Sequence, residues 1–216
     1  MGWLSFVIPQ RLYRGTSKFN TTIEVIESFG KKQLLVNGIV QTGVYTHKLF
    51  AQGIHRLSKW HEGEMKQIVV FGIGGGDIFL QLHKKYSNAD ITGVDIDSEI
   101  IRIAKKYFHT TGTAYTNFIA SDAVSYSERI KNEKKRFDAI IVDIYIGNDV
   151  PDFVTNIEFL RALKQILRNK GSLIINYFSS TNQQEKSQKI LKQLQGIYSR
   201  VEMESNRRNI FYYCRA

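Results

Sequence analysis

The amino-acid sequence predicts an α/β fold: a mostly parallel sheet covered by helices on both faces, a C-terminal antiparallel hairpin, and a small N-terminal β-hairpin region. Three observations carry this expectation. Residues 68 to 77, IVVFGIGGGD, end an apolar, partly β-branched run in glycines and an acid, as a buried strand does when it turns sharply into a helix. From there apolar runs of strand length alternate with stretches of helical periodicity, the rhythm of parallel strands joined by crossover helices. The last two strand-like runs are separated only by SNRR, a link too short for anything but an antiparallel pair.

Residues 1 to 19 carry no clear pattern. Residues 21 to 41, TTIEVIESFGKKQLLVNGIVQ, read as two or three short antiparallel strands, with Ile23, Val25 and Phe29 alternating with polar positions, Gly30 at one turn and Asn37-Gly38 at another. So few strands bury little alone, so they are expected to lean on the main domain and cover its ligand site. Residues 1–44 are assigned to this small region and 45–216 to the main domain. Tyr45 to Leu57 turn helical, with Leu49, Phe50, Ile54 and Leu57 on one side. Strand 68–72 then leads to helix 77–86, strand 91–95, helix 98–108, a short strand near 115–119 and a helix near 123–131. FDAIIVDIY, 137 to 145, is the most apolar strand. Helix 156–168, strand 171–178, helix 183–198 and strands 200–204 and 209–214 complete the chain.

The hydrophobic fraction of 43% supports a sizeable core. No stretch reaches the roughly 18 apolar residues of a membrane span, and residues 1–15 lack a basic segment before their apolar run, so neither a span nor a signal peptide is expected. Cys214 is the one cysteine, which excludes an internal disulfide and suits a cytoplasmic setting. The net charge of +10 invites anionic partners. Its densest groups, Lys105-Lys106, Lys131 to Arg136 and Arg207-Arg208, fall at helix ends and loops, so nucleic acid beyond non-specific association is not expected. His47, His55, His61, His83 and His109 show no metal-binding spacing, and no metal is expected.

Glycines at a strand-to-helix turn allow close approach of a ligand. Here Gly72, Gly74, Gly75 and Gly76 precede Asp77, and a second strand about 20 residues on ends in Asp95, Ile96 and Asp97. An acid at that point accepts hydrogen bonds from ribose hydroxyls. Asp95 is the expected ribose ligand, with a structural role or an exchange with Asp97 as the alternative. Asp77 either caps its helix or binds an amino group, or both. Asp122, read from the residues alone, is placed to cap the helix after it. Asp143, at the end of the most apolar strand and beside the glycine turn, is the candidate base; the alternative is a cap of the following turn.

These motifs together resemble the spermidine synthase family within the S-adenosylmethionine-dependent methyltransferase superfamily. Gly74-Gly75-Gly76-Asp77 is similar to that family's GGGD motif, Val94-Asp95-Ile96-Asp97 with Ile100-Ile101 to its strand-end acid, and Ser121-Asp122-Ala123 to its adenine-side Asp-Ala. Phe137 to Asp143 resembles the strand that ends in its catalytic aspartate, and Leu34 to Gln41 its small β-domain and pocket glutamine. The resemblance runs from about residue 20 onward and implies a class I methyltransferase-type, Rossmann-like sheet. It departs from the family where Ile78 and Phe79 replace two glycines, where Leu82 and His83 stand near an Arg-Glu pair, in the loop Ile144 to Pro151, and in a shorter region after strand 171–178.

The resemblance implies a sulfonium nucleoside, S-adenosylmethionine or its decarboxylated form, held by Gly72, Gly74, Gly75, Gly76, Asp77, Asp95, Ile96, Asp122 and Ala123. Asp143 is implied as catalytic. Gln41, Tyr45, Tyr145 and Asp149 are candidates for the acceptor side, with plain packing an equal alternative for Gln41 and Tyr45. A nicotinamide dinucleotide would also suit the glycine turn, but Ser121-Asp122 and the terminal hairpin favour the sulfonium nucleoside. The departures favour methyl transfer to a small, nitrogenous acceptor. Aminopropyl transfer to a diamine is the first alternative, and a nucleoside-binding sensor or scaffold without turnover is the second. A homodimer is compatible with the sequence.

Overall fold

The computed structural model describes residues 3–61, 63–108, 116–147, 149–178, 184–206 and 208–216. His109, Asn148, Arg207, and the first residues of the predicted strand 115–119 and helix 183–198 lie outside them.

A four-stranded antiparallel sheet comes first: β1 (Gln10–Gly15), β2 (Ile23–Ser28), β3 (Lys31–Val36) and β4 (Ile39–Val40), in that spatial order. Both β2–β3 and β3–β4 turn through paired left-handed residues, Phe29 and Gly30 at φ 50° and 70° and Asn37 and Gly38 at φ 50° and 79°, the geometry of two-residue hairpins. The strand β1, from a stretch with no legible pattern, adds an edge beyond the two or three strands expected.

The main domain follows as α1 (Val44–Trp60), β5 (Gln67–Phe71), α2 (Asp77–Lys85), β6 (Asp90–Asp95), α3 (Ser98–Phe108), β7 (Thr116–Ala120), α4 (Ala123–Asn132), β8 (Phe137–Val142), a 3-10 turn (Asp152–Thr155), α5 (Ile157–Ile166), β9 (Leu167–Phe178), α6 (Gln184–Ile197), β10 (Arg200–Ser205) and β11 (Asn209–Arg215). The seven strands lie in the order β10-β11-β9-β8-β5-β6-β7. From β9 to β7 they are parallel; β11 runs antiparallel to β9 and β10 to β11. The predicted fold class is therefore the observed one. Strand β9 begins four residues earlier than the sequence suggested, at Leu167 rather than 171, through an irregularity opposite Phe137–Ala139.

Two apolar layers hold the sheet. Side chains of α4, α5 and α6 pack on one face, and those of α1, α2 and α3 on the other. All six residues of β8 are buried, as befits a strand covered on both sides. Helix α3 is apolar on two faces. Ile101 and Ala104 meet the main sheet, while Ile100 and Ile103 meet Ile23, Val25, Leu34 and Val36 of the small sheet. This fixes the small sheet over the carboxyl ends of the parallel strands. The chain order reverses between β5 and β8, since β6 and β7 lie to one side and β9 to the other. Such a switch point opens a crevice at the strand ends.

Candidate active site

The crevice is bounded by the glycine turn after β5, the ends of β6, β7 and β8, and the small sheet. Gly72 sits at φ 93°, and a Cβ there would meet the Asp143 carbonyl oxygen. Gly74, at φ 50°, has no atom within 4 Å of the Cβ position and faces the open cleft, whereas a Cβ on Gly75 would strike Thr42. Gly76 takes the N-cap position of α2 in left-handed conformation. Asp77 is thus the first helical residue and not the N-cap, which corrects the capping alternative. Its carboxylate instead lies 2.9 Å from His47 Nδ1 and accepts from Gln81 Nε2 at 2.6 Å.

Asp95 ends β6 with both oxygens on backbone donors: Ile73 N at 2.9 Å and Asp97 N at 2.9 Å. Burial raises its pKa, the neighbouring Asp97 adds to this, and the backbone N–H groups pull it back down. A carboxylate oxygen accepts more than one hydrogen bond, so a hydroxyl in the cleft can still be received. Asp97 is buried and its carboxylate is engaged by Ser17 Oγ, by Asn20 Nδ2 at 2.7 Å and by Glu99 N at 3.0 Å. Ile96 is half exposed on the cleft. Asp122 caps α4 by accepting from Ser125 N at 2.9 Å and lines the cleft together with Ala123.

Asp143 follows β8 directly, and its N–H donates to Phe71 O at 2.8 Å, which sets it beside the glycine turn. Asn176 Nδ2 of β9 donates to Asp143 Oδ1 at 2.8 Å. Withdrawal from water pushes its pKa up to about 6; the Asn176 hydrogen bond opposes this and Asp95 adds to it. Tyr145 lines the cleft, and its hydroxyl donates to Asn176 O at 3.2 Å. Burial raises the Tyr145 pKa well above its ordinary value, so it remains a neutral phenol.

The structure brings Gln41, Tyr145, Asp143 and all the proposed nucleoside residues to one cleft. Tyr45 and Asp149 lie outside its lining. Tyr45 instead donates to Asn209 Oδ1 at 2.7 Å. Asp149 is exposed and closes a tight turn with Ile146 through backbone hydrogen bonds. Sequence reasoning missed His47, Gln81, Asn20, Asn176 and Asn209. Only Asn176 carried a signal, as a polar residue within the apolar run LIINYF, since a buried amide requires partners.

Among the described residues no group of three or more His, Cys, Asp or Glu is placed to hold a metal ion, and no helix is long and apolar enough to cross a membrane. Residues 47–206 match the family model for the spermine/spermidine synthase domain. The polyamine aminopropyltransferase of Vibrio vulnificus is 30% identical over 116 residues, which cover 54% of this chain and 39% of that enzyme. The eEF1A lysine and N-terminal methyltransferase homolog of Drosophila melanogaster is 30% identical over 118 residues, covering 51% and 17%. This chain thus spans well under half the length of either relative. A crystal structure of spermidine synthase in complex with the transition state analogue AdoDATO superimposes with a TM-score of 0.75 at 16% identity, covering 95% of this chain and 73% of that one, a likeness of fold. With the match extending across most of the main domain, the chain belongs to the spermine/spermidine synthase family.

Proposed function

We propose that this protein transfers an aminopropyl group from decarboxylated S-adenosylmethionine to a small amine. The observation that carries the reading is the charge of the cleft. Asp77, Asp95, Asp97, Asp122 and Asp143 line it and, among the described residues, no Lys or Arg does, in a chain of net charge +10. The decarboxylated donor carries a sulfonium and an ammonium with no compensating carboxylate, and a diamine acceptor is also cationic. Low dielectric strengthens their attraction to acids. The sequence alone favours methyl transfer, but relatives named polyamine aminopropyltransferase support the aminopropyl alternative better.

In this reading Asp95 accepts from the ribose hydroxyls, Asp122 and Ile96 hold the adenine, and Asp77 takes the donor's terminal ammonium. The acceptor nitrogen attacks the carbon beside the sulfonium; a C–N bond forms, the C–S bond breaks, and its electron pair goes to sulfur. Asp143 orients the acceptor ammonium and takes its proton. A base with a pKa near 6 is mostly ionised at neutral pH yet still basic enough to receive a proton. The remainder of the rate comes from alignment of the two reactants.

Methyl transfer is the second reading. It is favoured by the loop after Asp143, where Ile144, Tyr145, Ile146 and Gly147 line the cleft and the acid Asp149 does not. That surface suits an acceptor with less positive charge than a diamine. Calorimetry separates the two readings. Methylthioadenosine, the aminopropyl by-product, is expected to bind at least as tightly as S-adenosylhomocysteine, whose carboxylate meets the acidic cleft. Binding of S-adenosylhomocysteine tenfold tighter or more would favour methyl transfer.

A further inference from the structure

We infer that Asn176, Asn209 and Tyr45 form a polarised hydrogen-bond relay that positions Asp143 and holds it as an acceptor. The inference rests on the reading of Asp143 as the base and names residues that act through it. Three contacts build the chain: Asn176 Nδ2 to Asp143 Oδ1 at 2.8 Å, Asn209 Nδ2 to Asn176 Oδ1 at 2.8 Å, and the Tyr45 hydroxyl to Asn209 Oδ1 at 2.7 Å. Asn176 and Asn209 are both buried, on adjacent antiparallel strands in which Asn176 pairs with Phe211 and Asn209 with Phe178. They are therefore diagonal neighbours on one face of the sheet.

The direction of the chain follows from the inventory of donors. An ionised carboxylate only accepts, so Asn176 must turn its amino group toward Asp143. Its carbonyl oxygen then faces Asn209, which must donate. The Asn209 carbonyl in turn requires a donor, and the Tyr45 hydroxyl supplies it. Each amide is held from behind in the orientation that stabilises the carboxylate, and polarised chains of this kind reinforce one another. The Tyr145 hydroxyl ties the relay to the backbone, donating to the Asn176 main-chain carbonyl at 3.2 Å and accepting from Asn209 Nδ2 at 3.4 Å. The ionisable group acting on Asp143 is Asp95, across the cleft floor, whose charge disfavours a second negative charge, so the relay works against it. Tyr145, beside Asp143, stays a neutral phenol. None of Asn176, Asn209 and Tyr45 lines the cleft, so they are positioning residues. Tyr45 is half exposed at the outer end, which makes it a point from which the base can be tuned without touching the ligand.

The test is a 13C NMR titration of the Asp143 carboxyl carbon in the whole protein without substrate, assigned by its loss in Asp143→Asn, together with thermal melting and the pH profile of turnover. Asn209→Leu, which adds no charge, removes the donor that faces the Asn176 side-chain carbonyl and frees the Asn176 amide to turn away from Asp143. The midpoint is expected to rise by about one pH unit, the scale of a lost hydrogen bond to a charged group. The acid limb of turnover should rise with it. Tyr45→Phe removes only the outer donor and is expected to give a smaller rise with little change in melting. Midpoints unchanged in both folded variants would overturn the relay, even if melting temperatures fell, since a merely structural role predicts that pattern. If the midpoints move but Asp143→Asn keeps full turnover, the relay stands and the assignment of the base fails.

Discussion

A Cβ placed on Gly72 would lie 2.0 Å from the backbone carbonyl oxygen of Asp143. The ends of β5 and β8 are thus in direct backbone contact, and the candidate base is positioned by the same turn that opens the cleft. Gly72→Ala adds both this clash and the cost of φ 93° for an L side chain. It is expected to lower stability by about 2–4 kcal/mol, from overpacking and backbone strain together. Urea denaturation measures this; a change within 0.5 kcal/mol, the spread of ordinary surface substitutions, would mean that the two strand ends are not in contact.

Asp95 is expected to serve two purposes, fixing the glycine turn through Ile73 N and receiving the ribose. Asp95→Ala should weaken methylthioadenosine binding by about 1.5–3 kcal/mol, the range for hydrogen bonds to a charged group. It should also lower the melting temperature, because two backbone donors lose their acceptor. Calorimetry on the folded variant checks the first part, and unchanged affinity would remove Asp95 from the ribose.

Asp77 distinguishes donor from by-product. Methylthioadenosine lacks the amino tail, so Asp77→Asn should leave its affinity unaltered. The KM for decarboxylated S-adenosylmethionine should rise at least tenfold, as expected when an ion-paired hydrogen bond is lost. An equal loss for both ligands would assign Asp77 to the fold through His47 and Gln81 instead.

The raised pKa of Asp143 has a stability consequence. In the unfolded chain this carboxyl ionises near its ordinary value of 3.8, and in the folded protein at about 6. The folded state binds the proton more tightly, so stability is expected to fall as pH rises through that interval. Asp143→Asn, which cannot ionise, should exceed the wild type at pH 7.5 by about 1–2 kcal/mol, discounted for its partly exposed face. The gap should close below about pH 4. Melting curves at the two pH values check the sign; a variant less stable than the wild type at pH 7.5 would contradict it.

Much of this site was legible because its signals are local. The glycine turn and the strand-end acids Asp95, Asp122 and Asp143 each follow a recognisable apolar run, and parallel strands bring those ends to one edge of the sheet. The Asp122 cap needs only the residues beside it. Strand β1 was not legible, because QRLYRG is an exposed edge strand without clear alternation, lying beside β2 at the end of its sheet. Likewise nothing near Asp77 announces His47, which reaches it from α1. The relay depends on the β9–β11 register, which joins Asn176 to Asn209 across a long interval of sequence.

The central claim is tested most directly by turnover with each donor. Wild type and Asp143→Asn should be offered S-adenosylmethionine and its decarboxylated form in parallel, with a panel of small amines, and the products resolved by mass spectrometry. Expected are an aminopropylated amine and methylthioadenosine from the decarboxylated donor, with Asp143→Asn about 10²–10⁴-fold slower, the span for loss of a general base, and little changed in nucleoside affinity. A methylated amine with S-adenosylhomocysteine, formed from S-adenosylmethionine alone, would contradict the aminopropyl assignment.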